Sequence, residues 1–295
     1  MDQFMYEKGK VNPAPIVVGR IDDPEEEFRV RRPALRYFGG AWLRAGWIAS
    51  FFPPAGGPGH RAYLEPCAGA ASVLFHKPPC KLETINDIDG RVVNFFRMLR
   101  DRPDKLIPAI QMTPWAEDEY QRARRTSRRP LEDARRFFLL CWASVVGGPN
   151  PGPGDFRWHK ALTRRSPAVS DIGDLGQLYA AADRLKRVQI LNRDALALIE
   201  GVLRADQAGD YLIYFDPPYV HSTRANRRGY RHEVDDAWHA AAAGLLRQAR
   251  GPVVVSGYPS PLYAELYEAH GWTRHERVFV TNSGGRKVEG VWVNR

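Results

Sequence analysis

"YLIYFDPPYV", residues 211–220, is an apolar run that stops at an aspartate, two prolines and a tyrosine. Tyrosine, isoleucine and phenylalanine suit a pleated, half-buried surface, so the first half predicts a short buried strand. Pro217 and Pro218 lack a backbone N–H and cannot extend its ladder. A plain Pro-Pro turn accounts for the prolines but not for an acid and an aromatic flanking them. To either side of this stretch, strand-like and helix-like segments alternate from Arg61 onward. "RAYLE", "LETIND", "VQILN", "PVVVSGY", "RHERVFVT" and "KVEGVWVN" are further strand candidates. "SVLFHK" starts a helix, and Val92, Phe95, Phe96 and Leu99 recur at helical spacing until Pro103 closes the pattern. This alternation predicts a parallel α/β sheet. The long helical stretch between the second and third strands predicts an inserted subdomain. The last two strands, separated by "NSGGR", predict an antiparallel hairpin at the sheet's edge.

A chain of 295 residues with 44% hydrophobic and 26% charged residues has ordinary globular composition and enough apolar material for a core. No apolar run is long enough to span a bilayer, and the acidic, interrupted N-terminus does not resemble a signal peptide. Cys67, Cys80 and Cys141 are too few and scattered for a disulfide framework or a zinc knuckle, so no metal is expected. A cytoplasmic protein without a membrane partner is expected. The net charge of +9 suits an anionic partner such as nucleic acid, though an arginine-rich composition alone also produces it. Residues 1–32, with Pro13, Pro15 and the charged "RIDDPEEEFRVRR", predict a poorly ordered tail, with a partner-binding arm as the alternative.

In parallel sheets, ligands sit beyond the carboxyl ends of the strands, where strand order reverses. Four polar clusters fall there: "EPCAG", "NDID", "NRDA" and "DPPY". Gly69 and its small neighbours let a loop pass close to a ligand before a helix begins. Asp87 stands where nucleotide-binding folds place an acid for ribose hydroxyls, while Asp89 is better placed to cap the following helix. Asp194 suits either an adenine edge or a helix cap. The Asp216 carboxylate and the Pro217 carbonyl form two acceptors that no proline N–H competes for, matching a ligand with two N–H donors such as an exocyclic amine. Two such acceptors would aim the amine's lone pair outward, and the carboxylate would stabilise positive charge developing on nitrogen. Tyr219 adds a face on which a base can stack.

Taken in order, "ALRYFGG" (34–40), "EPCAGAAS" (65–72), "NDID" (86–89), "DPPY" (216–219) and "VVVSGYPSPLY" (253–263) resemble the motifs of the DNA adenine methyltransferase family. The resemblance covers roughly residues 33–295. It implies a Rossmann-like, S-adenosylmethionine-dependent methyltransferase sheet with a C-terminal hairpin. Residues 33–102 and 186–295 would form the catalytic domain, and residues 103–185 a helical region reading the target. Carried over motif by motif, it implies a catalytic set of Asp216, Pro217, Pro218 and Tyr219. The implied cofactor contacts are Tyr37, Gly39, Gly40, Glu65, Pro66, Cys67, Ala68, Gly69, Asp87, Ile88, Asp194 and Asp216. Double-stranded DNA is the implied partner, with the target base flipped out and a monomeric enzyme assumed. The basic stretch "YQRARRTSRRPLEDARR" offers Arg124, Arg125 and Arg128 to phosphates, with solvated helix faces as the alternative. "GGPNPGPGDFRWHK" adds Arg157, and "VHSTRANRRGYRHE" adds Arg224, Arg227 and Arg228.

Two positions depart from the family pattern: Ala41 replaces the usual lysine and Cys67 the usual phenylalanine. Three readings follow, in order of preference. Arg36 or Arg44 supplies the charge and the reaction is unchanged; the pocket takes another base, such as cytosine at N4, or a modified cofactor; or the chain binds DNA without catalysis.

Overall fold

The structure is a computed structural model, and it describes residues 30–56, 59–145, 155–157, 175–205, 207–224, 229–280 and 285–294. A seven-stranded sheet runs in the order β3-β2-β1-β4-β5-β7-β6. Its strands are β1 (Ala62–Glu65), β2 (Leu82–Asn86), β3 (Val188–Leu191), β4 (Tyr211–Phe215), β5 (Val253–Gly257), β6 (Thr273–Val280) and β7 (Arg286–Val293). The first five pair in parallel, and the expected antiparallel hairpin joins β6 to β7, with β7 also pairing antiparallel to β5. Sequence order reverses between β1 and β4, and the register sets Leu64 beside Ile213 and Glu65 beside Ile85. The carboxyl ends of these strands therefore share one rim.

Helices cover both faces, which is why the central strands read as nearly continuous apolar runs. On one face Tyr63, Leu212, Tyr214 and Val254 pack against α3 (Gly90–Asp101) and its neighbours. On the other, Leu64, Ile213, Phe215 and Val255 meet α8 (Ala195–Leu203), α9 (Asp236–Leu246) and α10 (Pro261–Leu266). Helices α1 (Ala45–Ala49) and α2 (Ser72–His76) flank the rim.

Between β2 and β3 lie α4 (Pro103–Gln111), α5 (Glu117–Ala123), α6 (Pro130–Ala143) and α7 (Gly176–Leu185). These four helices make up most of the described part of the region, and much of it packs into the main core. Leu106, Ile110, Phe137, Phe138 and Leu178 belong to the same core as β1 and β2. A smaller satellite forms around α5, where Tyr120, Ala123, Leu139 and Leu140 meet Trp115 and Phe156. The N-terminal boundary also differs from expectation. Val30 is buried in the main core, and the Arg32 guanidinium lies 5.4 Å from the centre of the Trp142 ring. Val30 and Arg32, placed in the expected tail, thus pack onto the fold, because an apolar valine there has a core to enter. Residues 1–29 of the expected tail lie outside the described residues, as do most of 147–160 and both Arg227 and Arg228.

Candidate active site

A cavity of about 270 Å³ opens at the strand rim where β1 and β4 diverge. Its wall includes Tyr37, Gly39, Gly40, the whole run Glu65–Ala70, Asp87, Ile88, Asp194, Asp216 and Pro218. Four of the polar clusters read from the sequence therefore converge on one space. Asn86 ties three of their loops together: its Nδ2 donates to the Pro66 and Arg193 carbonyls at 2.8 and 2.9 Å, and its Oδ1 accepts from the Arg193 N–H.

The two acids after β2 divide their work as expected. Asp89 caps α3 by accepting from the Arg91 N–H, and Arg231 pairs with it at 3.1 Å. Asp87 caps nothing; its two oxygens accept from the Gly69 N–H at 2.9 Å and the Asp89 N–H at 2.8 Å. Burial pushes the Asp87 carboxyl up to about 6, against the pull of those two N–H bonds. Gly69 has φ +49°, and a Cβ there would meet the Tyr37 ring at 3.1 Å. Asp194 caps α8 by accepting from the Ala197 N–H, and it also forms part of the wall. Glu65 is fully buried, accepts from the Tyr63 hydroxyl at 2.9 Å, and is pushed up to about 8 by burial.

At the end of β4, Asp216 accepts from the Ser256 hydroxyl at 2.6 Å, and Tyr214 hydrogen-bonds Ser256 at 3.0 Å. Burial raises the Asp216 pKa, while the Ser256 bond and the Arg44 charge oppose the rise. Pro217 is buried and is not among the wall residues. Tyr219 is also set back from the wall, edge-on to Tyr258 with ring centres 4.8 Å apart. Its hydroxyl donates to Glu289.

The two arginines weighed as substitutes for the lysine absent at Ala41 have separate roles. Arg36 donates to the Ser144 and Val145 carbonyls at 2.6 and 3.0 Å, at the end of α6. Arg44 instead lies 3.3 Å from Glu289, beside the catalytic motif. Arg224 corrects an expectation: its side chain is buried, paired with Glu233 at 2.6 Å and set over the Tyr230 ring, so it braces a loop rather than reaching for phosphate. Arg124 and Arg125 stand exposed with Arg122 around a shallow depression at the end of α5, and Arg128 is exposed nearby. Arg157 lies over the Trp115 ring at 5.6 Å.

Several wall or network residues were not singled out from the sequence: Glu289, Ser256, Tyr214, Trp238 and the segment Tyr230–Val234. Glu289 did leave a signal, as a lone acid within the apolar strand "VEGVWV".

A cavity at the switch point of a mostly parallel sheet, with an antiparallel hairpin at one edge, is a Rossmann-like α/β arrangement. The sequence profile of the D12 class N6 adenine-specific DNA methyltransferases matches residues 37–280, and the chain belongs to that family. It is therefore an adenine-specific DNA methyltransferase, acting on DNA with a methyl donor of the S-adenosylmethionine type. A Type II methyltransferase, M1.LlaDCHI from Lactococcus lactis subsp. cremoris, is 22% identical over 262 residues, covering 80% of this chain and 84% of its own. Among solved structures, the rRNA methyltransferase aviRa from Streptomyces viridochromogenes aligns at 11% identity and TM-score 0.35, over 84% of this chain and 80% of its own. Protein LPL1258 from Legionella pneumophila aligns at 12% identity and TM-score 0.31, over 87% and 85%. Among the described residues, no helix is long and apolar enough to cross a membrane.

Proposed function

We propose that the chain uses S-adenosylmethionine itself to methylate N6 of an adenine flipped out of double-stranded DNA, acting as a monomer. One observation carries this reading: the Asp87–Gly69 cradle and the Asp216 carboxylate face a single cavity. The cavity fits the cofactor chemically. Asp87 offers acceptor lone pairs to ribose hydroxyls, Gly69 keeps its side of the wall free of a Cβ, and the buried Asp89 Oδ2 has no hydrogen-bond partner. Ile88 and Cys67 supply apolar wall, and Asp194 an acceptor for a nucleobase edge.

When bound there, S-adenosylmethionine supplies a methyl group on a sulfonium, ready for attack by nitrogen. The chain's own residues prepare that nitrogen. Asp216 on the wall and, once the base is seated, the Pro217 carbonyl behind it accept hydrogen bonds from its two N–H groups, which draws the lone pair out of conjugation with the ring. The carboxylate then stabilises the positive charge that builds on nitrogen as the sulfur–methyl bond breaks to leave a thioether, and it passes on to solvent the proton that nitrogen sheds. Ser256 holds its other oxygen in place. Pro218 closes the wall beside it, and Tyr219 receives the base on its face once the ring is presented. Holding both reactants in one cavity contributes much of the acceleration. The α5 end, with Arg124, Arg125 and Arg128, is the candidate surface for reading the DNA, within the region 103–185.

The test is mass spectrometry of nucleosides from the DNA of cells expressing the chain, against cells expressing Asp216→Ala. A methyl increment on deoxyadenosine is expected, with the mutant lower by about two to three orders of magnitude. The increment on deoxycytidine, or a heavier group, would assign a different base or cofactor. No new nucleoside, in cells or with added cofactor in vitro, would leave a DNA-binding module and defeat the proposal.

A further inference from the structure

The hydroxyl of the motif tyrosine is held by a residue from the far end of the chain. Glu289 sits on β7, only 2% exposed, in a strand whose following residues Val291 and Trp292 are core. A carboxylate in such a place is costly unless a donor or an opposite charge accompanies it. It has one of each. The Tyr219 hydroxyl donates to Oε1, and the Arg44 guanidinium approaches Oε2 at 3.3 Å. Arg44 in turn donates to the Gly39 carbonyl at 2.9 Å, and Gly39 is part of the cavity wall. One buried carboxylate thus connects three remote pieces: the glycine loop, the catalytic motif and the C-terminal hairpin.

We propose that Glu289 and Arg44 are positioning residues for methyl transfer, fixing the plane of the Tyr219 ring and tying it to the Gly39 side of the cavity. The inference rests on the reading that Tyr219 receives the target base. A tyrosine ring turns about two side-chain torsions, and in a chain without a partner for its hydroxyl only packing would hold it. Here the perpendicular Tyr258 ring at 4.8 Å restrains the ring from one direction and the Glu289 carboxylate anchors its tip. A base stacking on that face meets a surface already in place, so less ordering is needed in the transition state than in a free ring. The effect belongs in turnover, because neither residue faces the Asp87 end of the cavity, where the cofactor's ribose is expected.

A purely structural pair would also be buried, so the experiment separates the two roles with a double-mutant cycle. Turnover and the KM for the cofactor are measured on DNA from a methylation-deficient host for wild type, Tyr219→Phe, Glu289→Leu and the double variant, with melting temperatures alongside. Tyr219→Phe keeps the ring and removes only the hydroxyl. Each single change is expected to lower kcat about tenfold, with the cofactor KM within about twofold. The double variant should be no slower than the slower single one, since both remove the same restraint. A second arm leaves the carboxylate intact: Arg44→Lys should recover most of the kcat that Arg44→Ala loses. Additive losses across the cycle, or kcat losses that simply follow the fraction unfolded, would overturn the inference while wild-type activity still upheld the parent reading. A wild-type protein that transfers no methyl group would overturn both.

Discussion

Asp87 shows how much one side chain's surroundings set its chemistry. Its carboxyl lies near 6 because burial disfavours the charged form more than the Gly69 and Asp89 N–H groups favour it. A pKa raised on folding means that the folded state holds its proton more tightly than the unfolded chain. The group's contribution to stability is therefore greatest below the unfolded pKa and is lost as pH rises through about 6. Cofactor binding runs the other way, since the ionised acid is the better acceptor for ribose hydroxyls. Affinity for S-adenosylhomocysteine, followed by calorimetry from pH 8 to 5, should weaken once the pH falls through about 6, approaching tenfold per unit. Asp87→Asn should bind weakly throughout and lack that inflection. If the inflection persists in the variant, another group is responsible. The division of labour between Asp87 and Asp89 was legible in the sequence, since only Asp89 directly precedes the helical pattern. That Asp194 caps α8 and also lines the cavity was not, because a helix cap and a cavity wall accept the same residue type at the same place.

Among the elements, the glycine loop and the segment after the catalytic motif close over the cavity together. Tyr230 stacks edge-on to Phe38 at 5.0 Å and lies against Gly39, Arg231 reaches across to Asp89, and Arg224 braces Glu233 from beneath. Gly39 has φ +74°, a conformation that favours glycine, and a Cβ there would fall 2.1 Å from the Tyr230 hydroxyl. Gly39→Ala should therefore cost about 1 kcal/mol in backbone strain alone, displace Tyr230, and weaken cofactor affinity. Gly46→Ala, on α1 with nothing near the added carbon, should be neutral or slightly stabilising. Equal melting temperatures and equal cofactor affinity in the two variants would show that the contact between loop and segment is dispensable. Sequence reading found Gly39 through its motif, but took Arg224 for a phosphate ligand. An arginine in a polar loop looks exposed until the loop is seen folded over an acid and an aromatic ring.

For the whole molecule, the positive charge expressed in the sequence is distributed unevenly. Many arginines are spent internally: Arg91 with Asp133, Arg135 with Glu119 and Glu132, and Arg184 with Glu83 are all ion pairs within the fold. The exposed group at the end of α5 remains the strongest candidate for binding phosphate. Replacing Arg124, Arg125 and Arg128 with alanine should flatten the dependence of log K on log salt by about 0.9 for every phosphate that the protein no longer neutralises. Cofactor affinity should be unchanged, because none of the three arginines lines the cavity. An unaltered salt slope with unaltered DNA affinity would move the DNA surface elsewhere, and the net charge of +9 would then report composition rather than function.

Local sequence was enough to set the order of strands and helices, the hairpin, and the four polar clusters at the strand ends. Each of these is written in a short window, through apolar spacing, proline and glycine placement, or a motif of adjacent residues. Burial and backbone sterics act at that range, so they can be read there. It took the assembled fold to settle that α4, α6 and α7 share the main core, that Arg44 rather than Arg36 stands beside the catalytic motif, and that Glu289 meets Tyr219. Those outcomes depend on which strand lies next to which. Inserting β7 beside β5 is what brings an acid from the end of the chain to the tip of β4, and no local pattern records that placement.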